Sequence, residues 1–268
     1  MKRNGLERIA DAFRSSKSSH KAALMPYYTL GFPNQITAIE IIKAITPYCH
    51  FLELGVPFSD PIADGPTIQR STQVALEQGM TSAKCLETVQ ELRSDGIDLP
   101  ILLMGYYNPI LAYGEQQYVK DVSDVGGDGF IIPDLPPEES ETFERYVSEE
   151  NLALIHFLAP TSNPARIGKV IERANGFIYM VSVTGITGAR SEMDRDVENM
   201  VRRVKTDTTV PVVVGFGIST PDQAATTAEF ADGVIVGSAL IDSVHENALD
   251  QTIAPAEFVK SLWAALRY

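Results

Sequence analysis

The sequence predicts an α/β fold, a (β/α)8 TIM barrel with an additional N-terminal helix and extra helices, and three observations predict it. Eight short apolar runs recur along the 268 residues. Most are uniformly apolar rather than alternating, which suits parallel strands covered on both faces. Amphipathic stretches separate them, and strands alternating with helices build a parallel sheet. Eight such units in a chain of this length fit a closed barrel. An open doubly wound sheet is the other arrangement of the same alternation. No linker, low-complexity tract or internal repeat divides the chain, so residues 1–268 are expected to form one barrel domain.

The elements follow in order. MKRNGLERIADAF sets Leu6, Ile9, Ala10 and Phe13 at helical spacing and lacks the long apolar core of a signal peptide. The first two strands are ALMPYYTL (23–30) and HFLEL (50–54). The segment TSAKCLETVQELRSDG then puts Cys85, Leu86, Val89 and Leu92 on one helix face and stops at Gly96. Strands PILLM (100–104) and GFII (129–132) come next. Pro136-Pro137-Glu138-Glu139 opens a helix carrying Phe143, Tyr146 and Val147. After LALIHFL (152–158), Asn163-Pro164 supplies a cap residue and a first-turn proline. Strands GFIYMVSV (176–183) and VPVVVGF (210–216) follow, then Thr220-Pro221 repeats that start signal. The last strand is DGVIVG (232–237), and APAEFVKSLWAALR closes the sequence with a period near 3.6.

Composition narrows the function classes. A chain 44% hydrophobic and 21% charged is globular rather than disordered. The net charge of -13, from 22 basic and 35 acidic residues, argues against nucleic-acid or membrane-surface partners. It does not exclude a small anionic substrate, because backbone N–H groups bind phosphate unaided. Cys49 and Cys85 fall in apolar segments and read as buried thiols. The four histidines are scattered, and no metal-ligand spacing occurs. No run reaches the length of a membrane span. These features predict a soluble, cytoplasmic protein.

Active sites of such barrels form at the C-terminal ends of the strands. Strand two ends at Glu53, inside ELGVPFSDPIADG, which carries Glu53, Asp60 and Asp64 among apolar residues, prolines and glycines. Burial at a barrel mouth would raise the pKa of Glu53 and suit it to acid–base work. A structural ion pair is the competing reading for an isolated Glu. Asp64 competes as a helix cap or turn former before Pro66-Thr67-Ile68. Strands seven and eight end in GFGIS and VGSAL. Their glycines serve tight turns, and two such loops at these strand ends also favour a phosphate site, with Gly237 and Ser238 opening a helix. Tyr179, within strand six, reads first as packing. Thr187, Gly188 and Arg190 lie in a polar loop suited to a lid. Asp134 reads as a strand-end site residue or a helix cap.

ELGVPFSDPIADGPTIQ closely resembles the signature of the tryptophan synthase α-subunit family. PYYTLGFP (26–33), MGYYNPI (104–110), IIPDLPPEE (131–139), VSVTGITGAR (181–190), GFGIST (215–220) and VIVGSA (234–239) match in the same order, over essentially the whole chain. The resemblance implies a (β/α)8 barrel that cleaves indole-3-glycerol phosphate to indole and glyceraldehyde 3-phosphate. It implies Glu53 as general acid/base, Asp64 as second catalytic carboxylate and Tyr179 as an auxiliary tyrosine. It implies Gly188, Gly217, Gly237 and Ser238 as phosphate binders, beside Thr187 in the same loop. Tyr27, Leu103, Tyr106 and Ile131 fall where indole contacts are expected. Asp60, Pro61, Asn108 and Asp134 match segments near the interface with a β subunit. The family implies an α-β-β-α complex in which pyridoxal phosphate sits in the β partner, with no cofactor in this chain. The sequence departs from the family at Phe230-Ala231, where glycine is common, and has tyrosine at positions 27 and 107, where other residues also occur. The alternatives are a freestanding lyase of the same chemistry, a mainly allosteric phosphate-binding subunit, and another phosphosugar barrel. The last has no use for the 53–65 signature.

Overall fold

The computed structural model describes residues 4–181, 190–215, 217–244 and 249–266, without the side chains of 190–194. Its strands are β1 (Ala23–Thr29), β2 (Leu52–Gly55), β3 (Ile101–Met104), β4 (Gly129–Ile131), β5 (Ala153–Leu158), β6 (Ile178–Val181), β7 (Val212–Gly215) and β8 (Gly233–Val236). Each is parallel to its neighbours, and β8 pairs with β1, so the barrel is closed. All eight apolar runs of the sequence are strands, and the doubly wound alternative is excluded.

Local chemistry sets the helix starts. Asn163 caps the Pro164–Arg173 helix by accepting from the Arg166 N–H, and Thr220 caps Pro221–Ala228 in the same way through Gln223. The Ser82–Ser94 helix buries Cys85, Leu86, Val89 and Leu92 and is followed by Gly96 at φ +87°. One start differs from expectation. The helix expected from Pro136 begins at Glu141. Pro136–Glu139 forms a turn instead, with the Glu139 N–H on the Pro136 carbonyl, and buried Ser140 donates to the Pro137 carbonyl. The extra helices are Pro66–Glu77 after β2, Tyr107–Tyr113 after β3 and Ser238–Asp242 after β8.

The additional N-terminal helix, Gly5–Ser18, covers the end of the barrel where the strands begin. Asn4 and Glu7 form its capping box. Phe13 packs against Phe51, which precedes β2, with ring centroids 4.8 Å apart, and against Phe177, which precedes β6, at 6.0 Å. Arg8 enters a buried ion cluster. It reaches Asp128 Oδ1 at 2.5 Å, while Arg93 reaches Asp128 Oδ2 at 2.6 Å. The Ile101 N–H donates to the same Oδ2 at 2.7 Å. Gly5 is needed for this approach, since a Cβ there would stand 2.6 Å from the Asp128 carbonyl oxygen. Among the described residues no helix is long and apolar enough to cross a membrane. Cys49 and Cys85 are buried free thiols.

Candidate active site

Register decides which side chains meet at the other end of the barrel. Tyr27 on β1 is level with Glu53 on β2, and Thr29 with Gly55. Glu53 is level with Leu102 on β3, and Gly55 with Met104. Alternate residues of a strand share a face, so Tyr27, Thr29, Glu53 and Met104 point one way. Across the barrel, Tyr179 is level with Phe157 and Val213. A cavity of about 510 Å³ opens over these residues. Tyr27, Glu53, Met104, Tyr179 and Ile235 line it from the strands. Asp64 and Ile68 line it from the loop and helix after β2, and Gly217, Ser219, Gly237 and Ser238 from the ends of β7 and β8.

Two glycines make room for the two strand tyrosines. A Cβ on Gly55 would stand 2.1 Å from the Tyr27 hydroxyl, and one on Gly215 would stand 2.3 Å from the Tyr179 hydroxyl. Gly217 has φ +79°, a conformation that favours glycine.

The carboxyls differ in their surroundings. Glu53 is 2% exposed, and its Oε2 has no hydrogen-bond partner among the described residues. Burial, then the nearby Asp64 charge, push its pKa from 4.5 up to about 8. Asp64 is half-buried, and burial pushes its pKa up to about 6 against the restraining hydrogen bond from Tyr106. The Tyr106 hydroxyl donates to Asp64 Oδ2 at 3.0 Å and accepts from the Ala63 N–H at 3.0 Å. Its ring also packs on Phe58, centroids 5.5 Å apart. Gln69 Nε2 holds the Asp64 carbonyl at 2.9 Å. At neutral pH the pair is therefore split, with Glu53 mostly protonated and Asp64 mostly ionised. Environments that push two titratable groups apart assign acid and base roles.

The residues singled out from the sequence sort as follows. Glu53, Asp64, Tyr179, Tyr27, Gly217, Gly237 and Ser238 meet around the one cavity. Leu103 does not line it. It lies on the opposite face of β3, bordering a much smaller space with Tyr106 and Phe130, and Met104 takes the inward position. Tyr106 borders that smaller space too and meets the site through Asp64. Ile131, fully buried, is level with Met104 and shares its face. Thr187 and Gly188 lie outside the described residues. Asp60, Asn108 and Asp134 are exposed and Pro61 is half-buried. Asp134 accepts from the Tyr107 N–H at 3.0 Å and so caps the Tyr107–Tyr113 helix, the cap reading of that residue. Among the described residues no group of three or more His, Cys, Asp or Glu is placed to hold a metal ion. Sequence reasoning missed Met104, Ile68 and Ile235. Only strand register separates Met104 from Leu103.

The chain matches the family model for the tryptophan synthase alpha chain over residues 13–263. It is 46% identical over 263 residues to the tryptophan synthase alpha chain of Chloroflexus aggregans, covering 98% of this chain and 96% of that one. Its structure resembles tryptophan synthase subunit alpha from Legionella pneumophila, with 35% identity, a TM-score of 0.90 and coverage of 97% and 98% of the two chains. It also resembles a chain of tryptophan synthase from M. tuberculosis in an open form, with 34% identity, a TM-score of 0.88 and coverage of 97% and 98%.

Proposed function

The chain belongs to the tryptophan synthase alpha chain family, a lyase that cleaves indole-3-glycerol phosphate, and from that premise we propose how its barrel mouth performs the cleavage. One observation carries the reading: buried Glu53 and half-buried Asp64 line one cavity, in surroundings that push their pKa values apart, to about 8 and about 6.

An indole carbanion is a poor leaving group, so the ring must first become an electron acceptor. Protonated Glu53 gives its proton to indole C3, and the ring becomes an indolenine cation. Ionised Asp64 stabilises the positive charge at N1–H. The C3–C3′ bond then breaks, and its electron pair restores the aromatic indole. The Glu53 carboxylate takes the proton of the C3′ hydroxyl, which becomes the aldehyde, and Glu53 is again protonated. The atoms balance as indole plus glyceraldehyde 3-phosphate. Acid–base assistance of this kind contributes roughly 10²–10⁴-fold. Tyr179 closes the floor opposite Glu53's strand. Gly217, Gly237 and Ser238 offer backbone N–H groups to the phosphate, and Thr187 and Gly188 keep that role by resemblance alone.

A β subunit carrying pyridoxal phosphate is the proposed partner, in an α-β-β-α complex, with no cofactor required by the steps above. The surface around the mouth supports this. Asp60, Asn108 and Asp134 are exposed there, with Ile62, 82% exposed, on the loop of Asp60 and Leu111, 50% exposed, on the helix of Asn108. The cytoplasm is the proposed compartment, as suits a biosynthetic enzyme. The test is indole release from indole-3-glycerol phosphate across pH, with and without an added β subunit. The expected kcat/KM profile is a bell, its acid limb near pH 6 from Asp64 and its basic limb near pH 8 from Glu53, with turnover rising on addition of the partner. A flat profile between pH 5 and 9 would remove the carboxyl pair from the mechanism. Fast release unaffected by a β subunit would favour the freestanding lyase.

A further inference from the structure

Tyr27, in the cavity wall, heads a chain of three hydroxyls that runs behind the wall through Thr29 to Ser71, and the last of them sets its direction. Ser71 Oγ, on the Pro66–Glu77 helix, donates to the Ile68 carbonyl at 2.9 Å. Thr29 Oγ1 lies 2.7 Å from Ser71 Oγ, and the Tyr27 hydroxyl lies 3.3 Å from Thr29 Oγ1. A hydroxyl has one proton to give, and a carbonyl can only accept. With the Ser71 proton committed to Ile68, Ser71 accepts from Thr29. The Thr29 proton is then spent, and Thr29 accepts from Tyr27. Thr29 and Ser71 are fully buried, so reversing the chain would take the Ser71 proton from the Ile68 carbonyl, a bond that nothing else on this chain replaces, and would turn the phenol proton toward the cavity.

The phenol is held as firmly as its proton. Its hydroxyl sits over Gly55, where a Cβ would be 2.1 Å away, and its ring lies against Gly237, where a Cβ would be 3.4 Å away. What remains for the ligand side is the oxygen's lone pairs. We propose that Tyr27 is a substrate-binding acceptor, its oxygen taking a hydrogen bond from an O–H or N–H of bound indole-3-glycerol phosphate, with Thr29 and Ser71 as the positioning residues that set this polarity. The proposal rests on the function proposed above. It also explains why a tyrosine is tolerable so near Asp64, the charge that acts on it most strongly. A phenol free to donate would compete with the substrate for that carboxylate. One committed to Thr29 does not.

The test is steady-state indole release by Tyr27→Phe, Thr29→Val, Ser71→Ala and the Tyr27→Phe/Thr29→Val double variant. Loss of one neutral hydrogen bond should raise KM about three- to tenfold in Tyr27→Phe. Thr29→Val turns the phenol proton into the cavity and should raise KM at least as much, yet add nothing in the Tyr27→Phe background. Where Thr29→Val does not fold, Ser71→Ala serves in its place, since it frees the Thr29 proton and lets the chain reverse. The donor is identified with a substrate analogue that keeps the indole N–H and phosphate but has a propyl chain without hydroxyls. Weaker inhibition of Tyr27→Phe by that analogue assigns the indole N–H, and an effect confined to the substrate assigns a glycerol hydroxyl. Wild-type constants in Tyr27→Phe for both compounds, or additive effects in the double variant, would overturn the proposal. Failure of the wild-type chain to release indole would instead overturn the function beneath it.

Discussion

Glu53 and Asp128 are carboxyls of nearly equal burial, 2% and 0% exposed, at opposite ends of the same barrel. At the end where strands begin, Asp128 receives two guanidinium groups and a backbone N–H. Arg93 spreads its other protons over the carbonyls of Gly126, Ile97 and Leu99, at 2.7–2.8 Å. At the end where strands finish, Glu53 has one buried oxygen with no described partner and an anionic neighbour in Asp64. Burial alone therefore says nothing about role. Saturation does: a carboxyl whose acceptor sites are filled ties elements together, and one left empty faces a ligand.

The sharpest way to break this contrast is to neutralise each carboxyl in turn. Glu53→Gln should lower indole release by roughly 10²–10⁴-fold while the circular dichroism spectrum and melting behaviour stay folded. Retained turnover would take Glu53 out of the chemistry. Asp128→Asn should do the reverse. It removes the buried counter-charge that Arg8 and Arg93 share, leaving Arg8 its longer pairing with exposed Asp98, and should cost about 3–5 kcal/mol in denaturant unfolding, with turnover per folded molecule preserved. A stable variant without activity would show that the closed end of the barrel reaches the site.

A third expectation concerns pH. The Glu53 pKa is raised on folding, from 4.5 to about 8, so the folded state holds a proton that the unfolded chain has released. Stability contributed at this position falls as pH rises from about 4.5 to 8 and is lost above that. Glu53→Gln carries no such dependence. Its stability relative to wild type should be lowest near pH 5 and grow by a few kcal/mol toward pH 9. A constant difference between the two proteins would mean Glu53 is not neutral in the folded state. The smallest effect is expected from Tyr106→Phe, which removes the donor that holds the Asp64 pKa down. The acid limb of kcat/KM should move upward by less than about one pH unit. An unmoved limb would mean that the bond orients Asp64 without tuning it.

Much of this was legible in the sequence, and the remainder failed to be for identifiable reasons. The strands announced themselves because parallel strands covered on both faces are apolar at every position. The same uniformity hid their facing. ILLM gives no hint that Leu102 and Met104 look inward and Leu103 outward, and only the register with Glu53 does. The resemblance points to Leu103 as an indole contact, and it is Met104 that lines the cavity. Glu53 and Asp64 are readable because they stand eleven positions apart in one motif. The Arg8–Asp128 pair is separated by 120 residues and the Tyr106–Asp64 bond by 42, so neither leaves a local pattern. Ser71 looks like any polar residue on a helix until Thr29 is placed against it.

The helix over the closed end has a consequence for how the molecule is made. Gly5–Ser18 precedes every strand, yet Arg8 finds its buried counter-ion 120 residues later, and Phe13 waits for Phe177. At synthesis rates of ~5–20 residues per second, the helix leaves the ribosome on the order of ten seconds before Asp128 exists to receive it. Through that interval β1 and Phe51 are there to receive it, and its contacts with Asp128 and Phe177 are still to come. A nascent chain of this protein therefore carries a helix whose contacts stay incomplete until Phe177, about two thirds of the way along the chain, has been made.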